Sequence, residues 1–482
     1  MNPSTAILWF RQDLRLTNNP ALTRALASHQ YVIPVYIYAP CESQPWAHGA
    51  ASRWWLHHSL ESLNKSLHER GSRLIIRQGN DSLAILKKLS EQSNATHIYW
   101  NRLYEPAHIK RDKYIKQALR AQSISTHSFN STLLNEPWQI TKADGSPYKV
   151  FTPFWKACVQ SGLPMSEHLA PCVFPEISSN IKSAKIESLQ LLPHIRWNMP
   201  FSSIWHPGEQ GAQTHIEQFL SNAATCYKND RNHPDVTGTS MLSPHLHFGE
   251  ISPQQIIAKT NQHININKQP GIIENTDVFI REIGWREFAY YLLYHYPLTT
   301  EKALHDKFSH FPWEKNYSQN LEAWQKGLTG IPLIDAGMRQ LWHTGWMHNR
   351  VRMIVASVLT KNMLIPWQEG AKWFWDTLVD ADLANNTLGW QWTAGCGADA
   401  APYFRIFNPV IQSEKFDLQG KYIRQWIPEI AKLPNKYLYQ PWSTPTSIMH
   451  ECAIKLGTDY PKPVIDLKET RSRALQKYSV IK

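Results

Sequence analysis

The segment "YVIPVYIY" at residues 31–38 is an uninterrupted apolar and aromatic run, the pattern of a strand that is buried on both faces. Similar runs occur at residues 6–10 ("AILWF"), 73–78 ("RLIIRQ") and 97–101 ("HIYWN"). The intervening segments 52–70, 81–93 and 106–122 have helical spacing and charge. This alternation predicts an α/β domain with an open, doubly wound parallel sheet over residues 1–130.

The chain after residue 130 has a different pattern. Residues 131–204 hold Pro, Ser and short mixed segments, which predicts a long connector. Residues 205–482 show helical patterns broken at Pro and Gly, which predicts an all-helical second domain. The first strand is followed by "RQDLRLTNN" and not by G-x-G-x-x-G, so an ordinary dinucleotide site is not expected in the sheet.

The composition describes a soluble, basic protein. The net charge of +11 favours a polyanionic partner such as nucleic acid, although a solubility charge spread over a large surface is the alternative. No long uncharged apolar run or signal peptide is apparent, so we expect no membrane span and a cytoplasmic location. The six cysteines have no C-x-x-C spacing, so no zinc or iron–sulfur framework is expected.

The stretch "DADLANNTLGWQW" at residues 380–392 combines acids, amides and indoles. If it is helical, Asp382, Asn386 and Trp390 follow one another at i, i+4 spacing on one face. An acceptor, an amide and a ring in sequence suit a flat heterocycle with several hydrogen-bonding groups. The stretch lacks the base-oriented nucleophile that hydrolytic catalysis requires.

Two further helical patterns carry polar side chains on one face. In "FIREIGWREFAYYLLYHYP" (279–297), Glu282 lies beside Trp285, either as part of a site or as a solvated carboxylate that covers a core indole. In "TGWMHNRVRMIVASVL" (344–359), Asn349, Arg352 and Met353 share a face that lines a pocket or belongs to an ordinary amphipathic helix.

Hydroxyl and histidine residues allow more than one interpretation. The hydroxyls of "TSMLSPHLHFGEISP" (239–253) cap helices or bind a phosphate. His245, His247, and the pair His57 and His58 lack the pair spacing and carboxylate partners of a metal site, so we expect them to be structural.

Taken together, these motifs resemble those of the photolyase/cryptochrome flavoproteins, and among them class I cyclobutane pyrimidine dimer photolyases. The resemblance runs from "LWFRQDLRLTNNPAL" through "GAASRWWLHHSL", "YKVFTPFWKA", "TSMLSPHLHFGE", "REIGWREF" and "TGWMHNRVRM" to "DADLANNTLGWQWTAGCGADAAPYFRIFNP". It implies an α/β antenna domain and a helical domain that holds FAD, whose reduced form FADH⁻ is the active one.

The resemblance also implies which residues hold the flavin. Asp380 would pair with Arg352, and Asn386 would face flavin N5. The full implied set of FAD contacts is Tyr227, Thr239, Ser240, Met241, Leu242, Ser243, Phe279, Arg286, Asn349, Arg352, Asp380, Ala381, Asp382 and Asn386. Met241 departs from the Arg or Lys of many DNA-repairing relatives.

The implied reaction is the light-driven repair of pyrimidine dimers in damaged DNA by electron transfer to a flipped-out dimer. Glu282 would hydrogen-bond a dimer carbonyl, and Trp390, Trp367 and Trp313 would carry electrons between flavin and surface. The implied DNA and lesion contacts are Arg231, Glu282, Trp285, Asn349, Arg350, Met353, Trp392 and Arg405.

Antenna and subtype remain open at this point. His48 resembles a folate contact, whereas His108 stands where folate binders often have Glu. We expect 5,10-methenyltetrahydrofolate, with a deazaflavin or no antenna as alternatives. A blue-light photoreceptor (cryptochrome) and (6-4) photoproduct repair are the alternative functions. The expected state is a monomer with no metal, associated with the nucleoid through DNA.

Overall fold

The computed structural model describes residues 4–164, 169–174, 180–267 and 269–481. The chain forms two compact units. Unit 1 comprises Met1–Thr225, Ser240–Pro297 and Val379–Leu383, and unit 2 comprises Cys226–Thr239, Leu298–Leu378 and Ala384–Lys482. The domain limits 1–130, 131–204 and 205–482 stay predictions.

A five-stranded, wholly parallel sheet forms the centre of the first part of unit 1. Its strands are β1 (Thr5–Phe10), β2 (Tyr31–Tyr38), β3 (Ile75–Gln78), β4 (His97–Asn101) and β5 (Ser125–Phe129), in the spatial order β3-β2-β1-β4-β5. Ile7 lies opposite both Ile33 and Ile98 in the register, which places three apolar side chains in one row. The doubly wound sheet that the sequence predicted is confirmed.

Helices make up most of the remaining regular structure. They are α1 (Pro20–Ser28), α2 (Ala50–His68), α3 (Ser82–Ser93), α4 (Pro106–Arg120), α5 (Phe151–Gln160), α6 (Phe201–Ile204), α7 (Glu209–Asn222), α8 (Tyr227–Asp230), α9 (Ser243–His247), α10 (Pro253–Ile266), α11 (Ile272–His295), α12 (Ser318–Gln325), α13 (Pro332–Thr344), α14 (Asn349–Ser357), α15 (Trp367–Thr377), α16 (Leu383–Ala394), α17 (Pro409–Phe416), α18 (Lys421–Trp426), α19 (Asn435–Leu438), α20 (Thr446–Glu451) and α21 (Leu467–Ser479).

Shorter turns complete the list. The 3₁₀ helices are Pro40–Ser43, Ile186–Leu189, Pro297–Thr300, Asp306–His310, Pro428–Ile430 and Pro441–Ser443, and Val358–Asn362 is a π-helix. In the described part of unit 2 there is one isolated bridge, between Leu456 and Tyr460, and no strand, so the predicted helical character is confirmed. No helix in the described ranges is both long and apolar enough for a membrane crossing.

The core of the sheet follows directly from the strand sequences. Every residue of β1 and β4 except the first is buried, and the rings of Trp9 and Trp100 meet edge to face with centroids 5.9 Å apart. The helix α1 begins with the Asn19 side chain as acceptor from Leu22 N and with Pro20 at its first position, which is favourable at a helix start. The sequence prediction did not include α1 or β5.

Candidate functional site

Two buried carboxylates, Asp380 and Asp382, lie in the short segment of unit 1 that precedes α16. The Tyr290 hydroxyl donates to Asp382 Oδ2, and His247 Nδ1 lies 3.4 Å from the same oxygen. Burial by itself raises the pKa of Asp382, but the neighbouring His247, Arg286 and Tyr290 outweigh it and hold the pKa well below its usual range. Asp382 is therefore a buried anion that can accept hydrogen bonds.

Arg286, on α11 of the same unit, supplies a cation near this anion. Its Nη1 donates to the Thr132 carbonyl oxygen at 2.8 Å, and its guanidinium carbon lies 4.8 Å from the centre of the Tyr290 ring. Its Nη2 is buried and has no hydrogen-bond partner among the described residues. A buried guanidinium donor left unpaired needs a partner, and an anionic or carbonyl group of a bound cofactor fits that need.

The segment 239–253, whose hydroxyls were predicted to cap helices or bind a phosphate, includes α9. Met241 has a φ of +54°, Leu242 is buried, and Ser243 is exposed at the first position of the helix. Phe279, which the resemblance implies as an FAD contact, is buried against Phe219 with ring centroids 4.4 Å apart. Phosphate binding by these residues stays a prediction.

The lesion face predicted on α11 has a stacked aromatic wall. The half-buried Trp285 lies on Phe151 with ring centroids 3.9 Å apart and planes 10° apart. At Gly284, an added Cβ would lie 2.6 Å from the Trp155 ring, so only glycine allows α5 to approach α11 this closely. Glu282 is half-buried one turn before Trp285 and Arg286, which brings the predicted acid and indole onto one helix.

In unit 2, the residues of α14 that were predicted to contact FAD or the lesion differ in their solvent exposure. Asn349 is exposed, whereas Arg352 and Met353 are half-buried. Arg352 Nε donates to the Met347 carbonyl oxygen at 2.7 Å. The proposed partner of Arg352, Asp380, belongs to unit 1, and their pairing stays a prediction.

The predicted phosphate-binding arginines of unit 2 have distinct environments. Arg350 donates to Asn232 Oδ1 and lies 4.6 Å from the centre of the Phe416 ring. Arg231 lies 5.5 Å from the centre of the Tyr227 ring, and Tyr227 is itself buried. Arg405 is exposed. Arg405 is therefore accessible for DNA contact, while Arg350 and Arg231 are partly covered by their neighbours.

The stretch at residues 380–392 is helical from Leu383 onward, so Asp380 and Asp382 lie just before α16. Asn386 is half-buried and its Nδ2 donates to the Ala371 carbonyl oxygen at 3.0 Å, which orients the amide. Trp390 is buried, and its ring centroid lies 5.0 Å from that of Phe374, whereas Trp392 is half-buried. The roles of Asn386 at flavin N5 and Trp392 at the lesion stay predictions.

The other members of the predicted electron-transfer chain also lie in unit 2. Trp367 is buried at the start of α15. Trp313 is half-buried against Phe311, with ring centroids 4.5 Å apart. Trp390 and Trp367 are thus buried and Trp313 is half-exposed, and both the electron path and its order stay predictions.

The two histidines predicted at the antenna have largely internal neighbours in unit 1. His108 is buried, with Nε2 at 2.9 Å from Ser43 Oγ and Nδ1 at 3.0 Å from Glu105 Oε2. The His48 ring stacks on Phe248, and burial lowers the pKa of His48 to about 3. A folate contact by either residue stays a prediction.

The premise that these histidines lack carboxylate partners was wrong for both pairs, while their structural role stays a prediction. His57 Nε2 lies 3.3 Å from Glu61 Oε1 and His58 Nδ1 lies 2.9 Å from Glu61 Oε2, because one turn of α2 brings residues 57, 58 and 61 together. His245 and His247 also have carboxylate partners, in Glu250 and Asp382. The i, i+3 and i, i+4 spacing to Glu61 was readable in the sequence, whereas the Asp382 contact was not.

Comparison with known proteins places these features in one family. A model described as DNA photolyase matches residues 6–175, and one described as the FAD binding domain of DNA photolyase matches residues 279–480. The chain is 44% identical to a deoxyribodipyrimidine photo-lyase of Agrobacterium fabrum, over 100% of this chain and 99% of that protein. It is 37% identical to cryptochrome-1 of Arabidopsis thaliana, over 97% of this chain and 69% of that protein.

A solved structure is similar throughout. The crystal structure of a bacterial class III photolyase from Agrobacterium tumefaciens has a TM-score of 0.95 and 43% identity, and covers 100% of this chain and 98% of that chain. That protein is described as class III, whereas the motifs resembled class I, so the class of this chain stays a prediction. The predicted fold class and the FAD-binding domain are confirmed. The chain belongs to the DNA photolyase family.

Proposed function

We propose that this protein is a deoxyribodipyrimidine photo-lyase that uses light to split cyclobutane pyrimidine dimers in DNA. The observation that carries the proposal lies on α11. Within about two turns, this helix presents Glu282 and Trp285, suited to a damaged base, and Arg286 and Tyr290, which lie around the buried anion Asp382. One rigid helix thus supports both a cofactor-binding face and a lesion-binding face.

The protein groups have separable tasks in this proposal. Reduced FAD, when bound, supplies the electron that light drives into the dimer. Asp382 would accept a hydrogen bond from the cofactor, and the buried Nη2 of Arg286, which has no partner among the described residues, would donate to the cofactor. Trp285, fixed from behind by Phe151, forms a flat wall for the flipped-out bases.

Glu282 would form a hydrogen bond with a pyrimidine carbonyl of the dimer and stabilise the negative charge that develops there. A donor aimed at the oxygen where negative charge develops stabilises that charge most strongly in a water-poor site. The half-buried position of Glu282 beside Trp285 supports this role.

DNA binding follows from charge. The net charge of +11 favours contact with phosphates, and we assign such contacts to Arg231, Arg350 and Arg405. We infer a monomer that works in the cytoplasm at the nucleoid, with 5,10-methenyltetrahydrofolate as the antenna. Affinity for undamaged DNA should fall as the salt concentration rises, because protein binding releases cations from the DNA phosphates and this release is less favourable at high salt.

A signalling photoreceptor is the second candidate, because the chain is 37% identical to a cryptochrome. The amide at Asn386, where the resemblance implies that cryptochromes differ, favours repair. Repair of (6-4) photoproducts is disfavoured by Asn349 and Met353, which occupy positions where the resemblance implies a histidine pair.

The test begins with the absorption spectrum of the purified protein, which reports bound flavin and antenna together. The protein should then remove thymine dimers from ultraviolet-irradiated DNA under blue light and leave them intact in the dark. Glu282→Leu should slow repair, while Glu274→Leu, a change at an exposed acid on the same helix, should not. Flavin binding without repair would support the photoreceptor, and a colourless protein would exclude both candidates.

The electron-transfer assignment has its own test. Trp390→Phe should block photoreduction of oxidised flavin yet leave repair by the chemically reduced enzyme intact, because the chain is needed only to reduce the cofactor. Loss of both activities would contradict this division of tasks.

A further inference from the structure

The proposed reaction does not use His247, the last residue of α9. Its side chain is almost fully buried, and its Nδ1 lies 3.4 Å from Asp382 Oδ2. His245, two residues earlier, has a different partner, Glu250. The two histidines of "SPHLHFGE" therefore hold two different buried acids, and only His247 acts on the residue assigned to the cofactor.

The contact to Asp382 requires a defined form of the imidazole. Because Asp382 is held as an anion that can only accept, His247 must carry a hydrogen on Nδ1. Tyr290 donates to the same carboxylate oxygen. Two donors that converge on Oδ2 from α9 and α11 restrain the plane of the carboxylate and hence its orientation.

Two further polar side chains, those of His48 and Glu105, lie near the His247 ring. Its Nε2 is buried without a hydrogen-bond partner in the described part of the chain, and so are His48 Nδ1 and Glu105 Oε1. The His48 and His247 rings meet edge to face with centroids 6.1 Å apart, and the charge of Glu105 acts on both rings. Buried polar atoms that lack protein partners commonly share ordered water.

We propose that His247 is a positioning residue, which orients Asp382 toward the flavin and is itself held by an internal water shared with His48 and Glu105. The inference rests on the proposed function, because it assigns Asp382 to the cofactor. In this arrangement His48 and Glu105 support the flavin site from behind, through His247. A substitution at His247 should change cofactor affinity and the flavin spectrum without removing any cofactor contact directly.

The decisive variants differ in one hydrogen-bond donor. His247→Asn keeps an N–H at about the place of Nδ1, whereas His247→Leu fills similar space with no donor. The readouts are the dissociation constant of FAD, from fluorescence titration of the apoprotein, and the visible spectrum of the bound flavin. We expect about a tenfold or greater loss of FAD affinity and a shifted flavin band for His247→Leu, and recovery to within about threefold for His247→Asn.

The matched controls are His97→Leu and His97→Asn, at a half-buried histidine in β4 that has no part in the site. These should leave FAD affinity and spectrum unchanged. Thermal unfolding of each apoprotein separates positioning from packing, since a packing defect lowers the melting temperature of both His247 variants alike.

The outcomes separate this inference from the proposed function. A wild-type protein that binds no flavin would overturn the proposed function. A wild-type protein that binds FAD and repairs dimers, with a His247→Leu variant of equal affinity and spectrum, would overturn the inference alone. Equal losses of affinity in His247→Leu and His247→Asn, accompanied by equal losses of melting temperature, would also overturn it, because the ring would then serve packing only.

Discussion

Gly370, in α15, allows the Trp390 indole to lie where it does. A Cβ added at Gly370 would meet three atoms of the six-membered ring of Trp390, Cη2, Cζ3 and Cζ2, at 2.0, 2.4 and 2.5 Å. Ordinary contact begins at 3.4 Å, so the ring would have to move by 3.4 − 2.0 = 1.4 Å. Phe374 and Trp324 pack against the indole, with ring centroids 5.0 and 6.2 Å away, and restrict that movement.

We therefore predict that Gly370→Ala destabilises the protein. Overpacking of a buried site costs about 1–3 kcal/mol, and the restricted ring favours the upper end of that range. Alanine recovers about 1 kcal/mol relative to glycine within a helix. The net loss is about 2 kcal/mol, which corresponds to roughly 4–8 °C in the melting temperature of a cooperative unit of about 150–250 residues.

A double-mutant cycle tests the cause as well as the size of the effect. Trp390→Phe removes the outer ring, so Gly370→Ala in that background should be neutral or stabilising, with a coupling energy of about 2–3 kcal/mol. Scanning calorimetry of the four proteins measures the cycle. The control is Gly389→Ala, since a Cβ at that exposed position of α16 meets nothing within 4 Å and alanine should stabilise the helix.

The Gly370→Ala variant by itself also has a functional readout, the rate of flavin photoreduction. Displacement of the indole should slow photoreduction in Gly370→Ala, even at temperatures where the protein is fully folded. If the destabilisation persists unchanged in the Trp390→Phe background, the ring is not the obstacle and the reasoning fails.

Three further predictions concern single side chains. Trp285→Leu should weaken binding of dimer-containing DNA in the dark by roughly 10- to 100-fold, because one stacking surface is worth about 1–3 kcal/mol. Undamaged DNA is the control, and an equal loss of affinity for both DNAs would contradict a lesion contact. Burial raises the pKa of Glu287 to about 7, although Arg286 lies beside it. The folded state therefore binds this proton more tightly than the unfolded state, and the stability of the protein should fall as pH rises from about 4.5 to about 7. Melting curves of Glu287→Gln should lack this fall in stability. Burial lowers the pKa of Lys361 to about 7, so the unfolded state binds this proton more tightly, and stability should rise from about pH 7 to about 10.5. Lys361→Met should melt higher than wild type at about pH 7. If the pH dependence of stability is the same in Lys361→Met as in wild type, the buried charge is not its cause.

Local sequence patterns were sufficient to predict most strands of the sheet and the helices that carry the site. The strands β1 to β4 were predicted because strands buried on both faces need unbroken apolar runs, and α11 and α16 because helical spacing is local. The edge strand β5, "STHSF", was missed because it pairs with β4 through the backbone and carries little apolar side-chain signal.

The residue types of the site were also evident in the sequence, but its partnerships were not. Asp382 was singled out from its i, i+4 neighbours, whereas Tyr290 and His247, its actual hydrogen-bonding neighbours within unit 1, are 92 and 135 residues away in the chain. Hydrogen bonds between distant segments have no periodicity to detect, so His247 was interpreted as merely structural. The sequence by itself determined the two-part architecture, the family and the candidate residues, because these depend on local periodicity and extended motifs. Only the tertiary structure decided which groups hold Asp382 as an anion and which indole depends on Gly370, because burial and close contact are properties of the folded chain.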